Sequence, residues 1–243
     1  NPLTIPKNQT KTYTLKANIA SYTESPSSHN VSYVARISSV TAYGNDSNET
    51  VNVTSVPTGF ANQQLVLRTK LWVDQFTRLG AESNRGRGAS DEVAKLILKV
   101  DPAYNAELRS IKLTFSGAAV SSFNVSSTAT DTINAYPNNL VELVDQNNTV
   151  IVSSSTLIET GVNTGEFITT LTLSSPRVIT ANSQDELKLR INSSNFGNAS
   201  NQSDSLSIRI KEAGDLTWRE EGGSTDLSLE PGAVPLTVTL SYE

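Results

Sequence analysis

The sequence predicts an all-β protein made of antiparallel β-sandwich modules, and three observations carry that prediction. Apolar and polar residues alternate with period two through much of the chain, the pattern of strands with one face on a core and the other in water. Clusters of Gly, Pro, Asn, Asp and Ser separate the alternating runs at short intervals. Ser, Thr and Asn supply about a third of the 243 residues, while charged residues reach only 18%, against roughly 25% in an average soluble domain. The polar surface is therefore mostly neutral, and a hydrophobic content of 37% is enough to build a thin core rather than a disordered chain.

Taken in order, the first alternating run is Tyr13, Leu15, Ala17 and Ile19, followed by the turn signal Pro26-Ser27-Ser28. Tyr33, Ala35 and Ile37 alternate next, before the turn Gly44-Asn45-Asp46. From Asp74 to Ser90 the pattern lapses, which predicts a long loop. Asp91 to Val100 has the composition of either a helix capped by Ser90 or a strand ended by Asp101-Pro102; the strand is the preferred reading. Ile111, Leu113 and Phe115 form a clear strand, and Gln146-Asn147-Asn148 a turn. After the turn Gly161-Val162-Asn163-Thr164-Gly165 come the strands Leu187, Leu189, Ile191 and Leu206, Ile208, Ile210. Glu221-Gly222-Gly223 is the last turn signal, and Val234, Leu236, Val238, Leu240 and Tyr242 form the most regular run of all. Short strands with regularly spaced turns make a sandwich.

An internal repeat organises these runs. Ile5-Pro6-Lys7-Asn8 followed by Tyr13, Leu15 and Ala17 parallels Ile179-Thr180-Ala181-Asn182 followed by Leu187, Leu189 and Ile191, at an offset of 174. Tyr33, Ala35, Ile37 and Tyr43 parallel Leu206, Ile208, Ile210 and Leu216 at 173, and Val51 and Val53 before Pro57 parallel Leu227 and Leu229 before Pro231. Residues 1–57 thus read as the second half of a module whose complete copy fills 58–243, as in tandem arrays. Half a module leaves strand edges and an apolar face without a partner. A strand from a neighbouring subunit would supply both main-chain hydrogen bonds and alternate side chains. Val234, Leu236, Val238, Leu240 and Tyr242 are the candidate donor strand, the alternative being that this strand closes its own sandwich.

Composition excludes several function classes. A formal charge of −5 without any dense basic block argues against nucleic acid or an anionic membrane surface as partner. The one basic cluster, Arg85-Gly86-Arg87-Gly88, reads as a plain solvated loop. No run approaches the ~20 apolar residues of a membrane span. With no Cys and no Met, including no initiator Met, the chain is expected to be processed or excised, and disulfide and thiol chemistry drop out. Loss of both oxidisable sulfur residues suits an oxidising or hot exterior.

The search for catalytic chemistry yields no site, and the chain is expected not to be an enzyme. The single histidine, His29, sits in the loop Ser27-Ser28-His29-Asn30, so neither the usual transition-metal sites nor a nucleophile elbow can be built. The acid pairs Asp91-Glu92 and Glu220-Glu221 could in principle serve glycoside hydrolysis, but adjacent acids in polar turns are ordinarily solvated. No cofactor is expected. Structural calcium is the inorganic candidate, with Asp145, Glu159 or Asn163 as oxygen donors. Trp72 and Trp218 offer a sugar-stacking platform or, in their apolar contexts, core packing. Asn-x-Ser/Thr sequons begin at Asn8, Asn30, Asn45, Asn48, Asn52, Asn124, Asn147, Asn192, Asn198 and Asn201, the candidate N-glycosylation sites.

Two segments carry a resemblance. Leu157-Ile158-Glu159-Thr160-Gly161-Val162-Asn163-Thr164-Gly165-Glu166-Phe167 resembles the E-T-G-x-N-T-G-x-F turn of repetitive surface-layer and adhesin-like proteins of archaea and bacteria. Leu3-Thr4-Ile5-Pro6-Lys7-Asn8-Gln9-Thr10-Lys11-Thr12-Tyr13-Thr14-Leu15-Lys16-Ala17 is similar to a strand pair of immunoglobulin-like modules in large prokaryotic surface proteins, with Lys7-Asn8-Gln9 in place of the usual Ala-Gly-Thr. The resemblance implies immunoglobulin-like β-sandwich modules at an extracellular cell surface and transfers no catalytic residue. The expected function is a structural subunit or module of a filament, tube or surface layer, joined to copies of itself by strand complementation. The alternative is an adhesin or carbohydrate-binding module, with glycans as partners.

Overall fold

The computed structural model describes residues 4–14, 16, 31–35, 37–51, 64–121, 132–134, 141–160, 165–194 and 204–243. It falls into two compact units, residues 1–66 and 67–243. Both are all-β; α1 (Ala118–Ser121) and the 3-10 turns Ala213–Asp215 and Pro231–Ala233 are the helical elements among the described residues.

Among the described residues of the first unit, four short strands, β1 (Val31–Tyr33), β2 (Ala42–Tyr43), β3 (Thr50–Val51) and β4 (Gln64–Val66), form two antiparallel pairs. β1 pairs with β4, Val31 opposite Val66, and β2 pairs with β3, Ala42 opposite Val51. The predicted turn at Gly44-Asn45-Asp46 joins β2 to β3. It closes through Gly44 N–H to Glu49 C=O and Asn48 N–H to Gly44 C=O, both at 2.9 Å. Asn48 takes the left-handed conformation (φ 55°), which asparagine tolerates better than most residues.

The second unit is a sandwich of two antiparallel sheets. The first sheet contains β5 (Leu71–Arg78), β6 (Asp91–Val100), β9 (Val141–Asp145), β10 (Val150–Ser154) and β13 (Gln184–Ile191), in the order β10-β9-β13-β6-β5. The second contains β7 (Ala106–Ser116), β8 (Thr132–Asn134), β11 (Thr156–Glu159), β12 (Glu166–Ile179), β14 (Asp204–Ile210), β15 (Leu216–Glu220), β16 (Leu227–Ser228) and β17 (Leu236–Tyr242). β7 is its spine. One edge of β7 pairs with β12; the other pairs with β15 along Ala106–Ile111 and with β14 along Thr114–Ser116. Between those two strands the chain turns through Ala213–Asp215, held by the buried Asp215 carboxylate, which accepts the N–H groups of Lys211 and Glu212 at 2.9 Å. β17 pairs with β14 in unbroken register, from Asp204 opposite Tyr242 to Ile210 opposite Leu236.

The core lies between the sheets and follows the alternation. Leu96, Leu98, Leu187 and Leu189 face it from one side, and Leu113, Phe115, Phe167 and Ile208 from the other. At about 1.5–3 kcal/mol for each fully buried large side chain, this layer dominates the favourable side of folding.

Asp91–Val100 is a strand, as preferred. Val93 and Ala94 are buried in succession because the register slips there, Leu189 lying opposite Ala94 and Arg190 opposite Glu92, the signature of a bulge. The expected loop at 74–90 is shorter than predicted, since β5 continues to Arg78. A second slip, Val73 opposite Leu98 but Gln75 opposite Ile97, inserts Asp74 and breaks the period-two pattern on which the prediction relied.

Candidate assembly surfaces

Among residues 4–14, 16, 34–35 and 37–51 none is buried. Ile5, Tyr13, Ile37, Val40, Tyr43 and Val51 are each 47–66% exposed. Each of the four strands has one paired neighbour among the described residues. A two-stranded ribbon is marginal in water without a further strand or a packed face. Leu15, Ala17, Val53 and Pro57, invoked in the repeat, and Ile19 of the first alternating run lie outside the described residues.

The candidate donor strand occupies a different setting. β17 closes its own sheet against β14, with Val238, Leu240 and Tyr242 buried and Val234 and Leu236 half-buried. Its outer edge is covered by the segment that follows β5. Ser241 N–H donates to Glu82 C=O (2.8 Å), Arg85 N–H to Ser241 C=O (3.1 Å) and Glu243 N–H to Arg85 C=O (3.2 Å). Arg85 thereby forms a parallel bridge with Tyr242. Two residues closer to the strand's start, Arg78 Nη1 donates to the Thr239 carbonyl at 3.1 Å.

Arg85 is the fastening of this segment. Its side chain is 10% exposed. Nε donates to both Asp91 oxygens (2.9 and 2.8 Å), and Nη2 donates to Asp91 Oδ1 and to the Glu92 carbonyl. Nη1 donates to the Leu79 carbonyl at 2.6 Å and the Ala81 carbonyl at 3.3 Å. Tyr242 Oη donates to Asp91 Oδ2 at 2.7 Å. The hydrogen bond to Asp91 raises the Arg85 pKa above its ordinary value, against the opposing effect of burial. Burial, followed by the bond to Asp91, raises that of Tyr242. Further along, Arg87 Nη2 donates to Asp204 at 2.7 Å, and Gly88 N–H donates to Ser193 Oγ at 3.0 Å. Gly80 (φ +73°) suits this position, because its left-handed backbone disfavours side chains and a Cβ there would stand 2.8 Å from Arg85 Nη1 and push the guanidinium off its partners.

The reading of Arg85-Gly86-Arg87-Gly88 as a plain solvated loop is thus overturned. Both guanidinium groups are drawn inward by carboxylates, Asp91 and Asp204, of which the second is remote in sequence.

The remaining candidates are placed as follows. Trp218 is 2% exposed and its Nε1–H donates to the Ser228 carbonyl at 3.1 Å, which removes it from sugar stacking; Trp72 on β5 is half-buried. Glu92 pairs with Lys188, Glu220 with Arg68, and Glu221 with the Asn105 amide. Asp145 Oδ1 accepts the N–H groups of Asn147 (2.8 Å) and Thr149 (2.9 Å), shaping the β9–β10 turn. Asn163 and His29 lie outside the described residues, and among those described no three His, Cys, Asp or Glu side chains gather as a metal site would need. No helix among them is long and apolar enough to cross a membrane. Of the sequon asparagines, Asn8, Asn45, Asn48 and Asn147 are exposed. Asn192 Oδ1 instead accepts the Ser194 N–H at 3.1 Å. Asn30, Asn52, Asn124, Asn198 and Asn201 lie outside the described residues. The Glu159–Phe167 motif joins β11 to β12, with Thr160 N–H donating to Glu166 C=O at 2.9 Å.

No family model matches this chain, and no curated protein does. Among solved structures, the crystal structure of BslA, a bacterial hydrophobin, aligns over 71% of this chain and 90% of its own at 10% identity with a TM-score of 0.23, too remote to carry fold or function across.

Proposed function

We propose that the chain is a structural subunit or module of an extracellular filament, tube or surface layer of a prokaryotic cell, built of immunoglobulin-like sandwich modules and joined to copies of itself by β-strand complementation. The observation that carries the reading is the state of the first unit: Tyr43 and Val51 on the β2–β3 ribbon, and Ile5, Tyr13, Ile37 and Val40 in the segments beside it, are about half-exposed or more, and no residue whose burial is described there is buried. A strand added to either ribbon would pair main-chain groups along its edge, and one added to β2–β3 would also cover Tyr43 and Val51. A fully buried large apolar side chain is worth about 1.5–3 kcal/mol. About half of that remains to be gained at each of Tyr43 and Val51 on the β2–β3 ribbon, on the order of 1.5–3 kcal/mol before the cost of association, and more where the added strand also covers the exposed apolar residues beside it. The lack of Cys and Met, the neutral hydroxyl-rich surface and the exposed sequons Asn8, Asn45, Asn48 and Asn147 support an extracellular, glycosylated setting.

Electron microscopy of the concentrated chain tests this. Regular filaments, tubes or sheets are expected; monodisperse particles of 26.1 kDa across the accessible concentration range would contradict it. A carbohydrate-binding role is the second reading and now rests on Trp72 alone. Glycan-array binding lost in Trp72→Ala would favour it.

A further inference from the structure

The C-terminal strand has the alternation of a good donor, yet every observation about its surroundings describes a strand held in place. Its inner edge is paired along its whole length with β14. On its outer edge Glu82 and Arg85 act as an added parallel strand, taking up the N–H groups of Ser241 and Glu243 and the carbonyl of Ser241, while Arg78 takes the carbonyl of Thr239. These are the groups through which another copy would pair edge to edge.

We infer that residues 79–88 form a strap that guards the outer edge of β17 and withholds this strand from exchange between copies, leaving assembly to the first unit. The inference rests on strand complementation being the way copies join.

The strap is fastened at both ends. Arg85 bonds Asp91, at the start of β6, and three carbonyls of residues 79–92. The Tyr242 hydroxyl meets the same carboxylate from β17, so strap, sheet and terminal strand share one anchor. Arg87 bonds Asp204, the first residue of β14, and Gly88 bonds Ser193 just beyond β13. A strap needed merely to connect β5 to β6 would require none of these. Charge-assisted bonds to a bidentate guanidinium are the strong kind, and replacing the arginine removes all of the strap's side-chain bonds at its centre together.

The test uses the full chain in four forms: wild type, Arg85→Gln, a first-unit variant Ile37→Asp/Tyr43→Asp, and the combination of all three substitutions. Amide hydrogen exchange reads the guard directly. In Arg85→Gln the Ser241 and Glu243 amides should exchange at least tenfold faster, while the Leu240 amide, on the β14 side, keeps its protection. Sedimentation velocity reads the consequence. The first-unit variant should be monomeric, and adding Arg85→Gln should restore association through the freed edge. Unchanged exchange at Ser241 and Glu243, or a combined variant that stays monomeric with those amides exposed, would overturn the guard while leaving the first unit's role intact. Association in Arg85→Gln but not in wild type would instead uphold the guard and count against assembly through the first unit. Should Arg85→Gln lose its fold, Tyr242→Phe, which removes one hydroxyl from the anchor, takes its place with the same readouts.

Discussion

Replacing Tyr242 by Phe removes one buried hydroxyl and little else, so its consequences can be worked from the geometry. The hydroxyl donates to Asp91 Oδ2 at 2.7 Å in a side chain with no exposed surface. A hydrogen bond to a charged acceptor contributes about 1.5–3 kcal/mol. Arg85 continues to satisfy the carboxylate in the variant, which puts the loss at the lower end, about 1.5 kcal/mol, or roughly 3–6 °C in Tm for a unit of this size. The pH dependence is more diagnostic. Burial and Asp91 raise the folded-state pKa of Tyr242 above the ordinary tyrosine value near pH 10. A raised pKa means that the folded state holds its proton more tightly. The stability it confers is therefore complete below about pH 10 and declines as pH rises above that, by up to about 1.4 kcal/mol per pH unit. Phe cannot titrate, so the wild-type and variant stabilities should converge at alkaline pH. Urea unfolding followed by tryptophan fluorescence suits the measurement, because the chain's two tryptophans, Trp72 and Trp218, both lie in the second unit. Stability curves that stay parallel from pH 8 to pH 11 would refute the placement of Tyr242 in this anchor.

Three further outcomes follow from the same structure. Glu220→Ala should cost about 3–5 kcal/mol in urea unfolding, since it strips the carboxylate from a pair whose Arg68 side chain is only 10% exposed; a loss below 1 kcal/mol would mean the pair is solvated. Trp218→Ala should cost a similar 3–5 kcal/mol by leaving a cavity in the core, whereas Trp72→Ala, on a half-buried edge position, should cost distinctly less. Ile37→Asp/Tyr43→Asp should prevent assembly while leaving urea unfolding of the second unit unchanged, as expected of two exposed positions in a separate unit.

Local pattern made the sandwich legible. Leu236 to Tyr242 and Ile111 to Phe115 alternate without interruption, and both became long strands with their apolar sets inward. Where a bulge adds a residue, as at Asp74 in β5, the alternation dissolves and the strand reads as loop. The strap was misread for a different reason. Arg85 and Arg87 look like solvated cations until Asp204, more than a hundred residues away, and the terminal Tyr242 are brought beside them by pairing of β14, β17 and β6. The apolar context of Trp218 favoured core over sugar, and the fold buries it, with the Ser228 carbonyl of β16 receiving the indole N–H. The exposure of Ile37 and Tyr43 in the first unit, which the alternation does not reveal, emerges from the fold.

The central claim is that the first unit is completed by another copy of the chain. Amide hydrogen exchange across Ile37–Val51, compared between assembled material and the dilute chain, tests it most directly. The account predicts protection gained on assembly along β2 and β3, at least tenfold. The same exchange in both states, with protection appearing elsewhere, would contradict it.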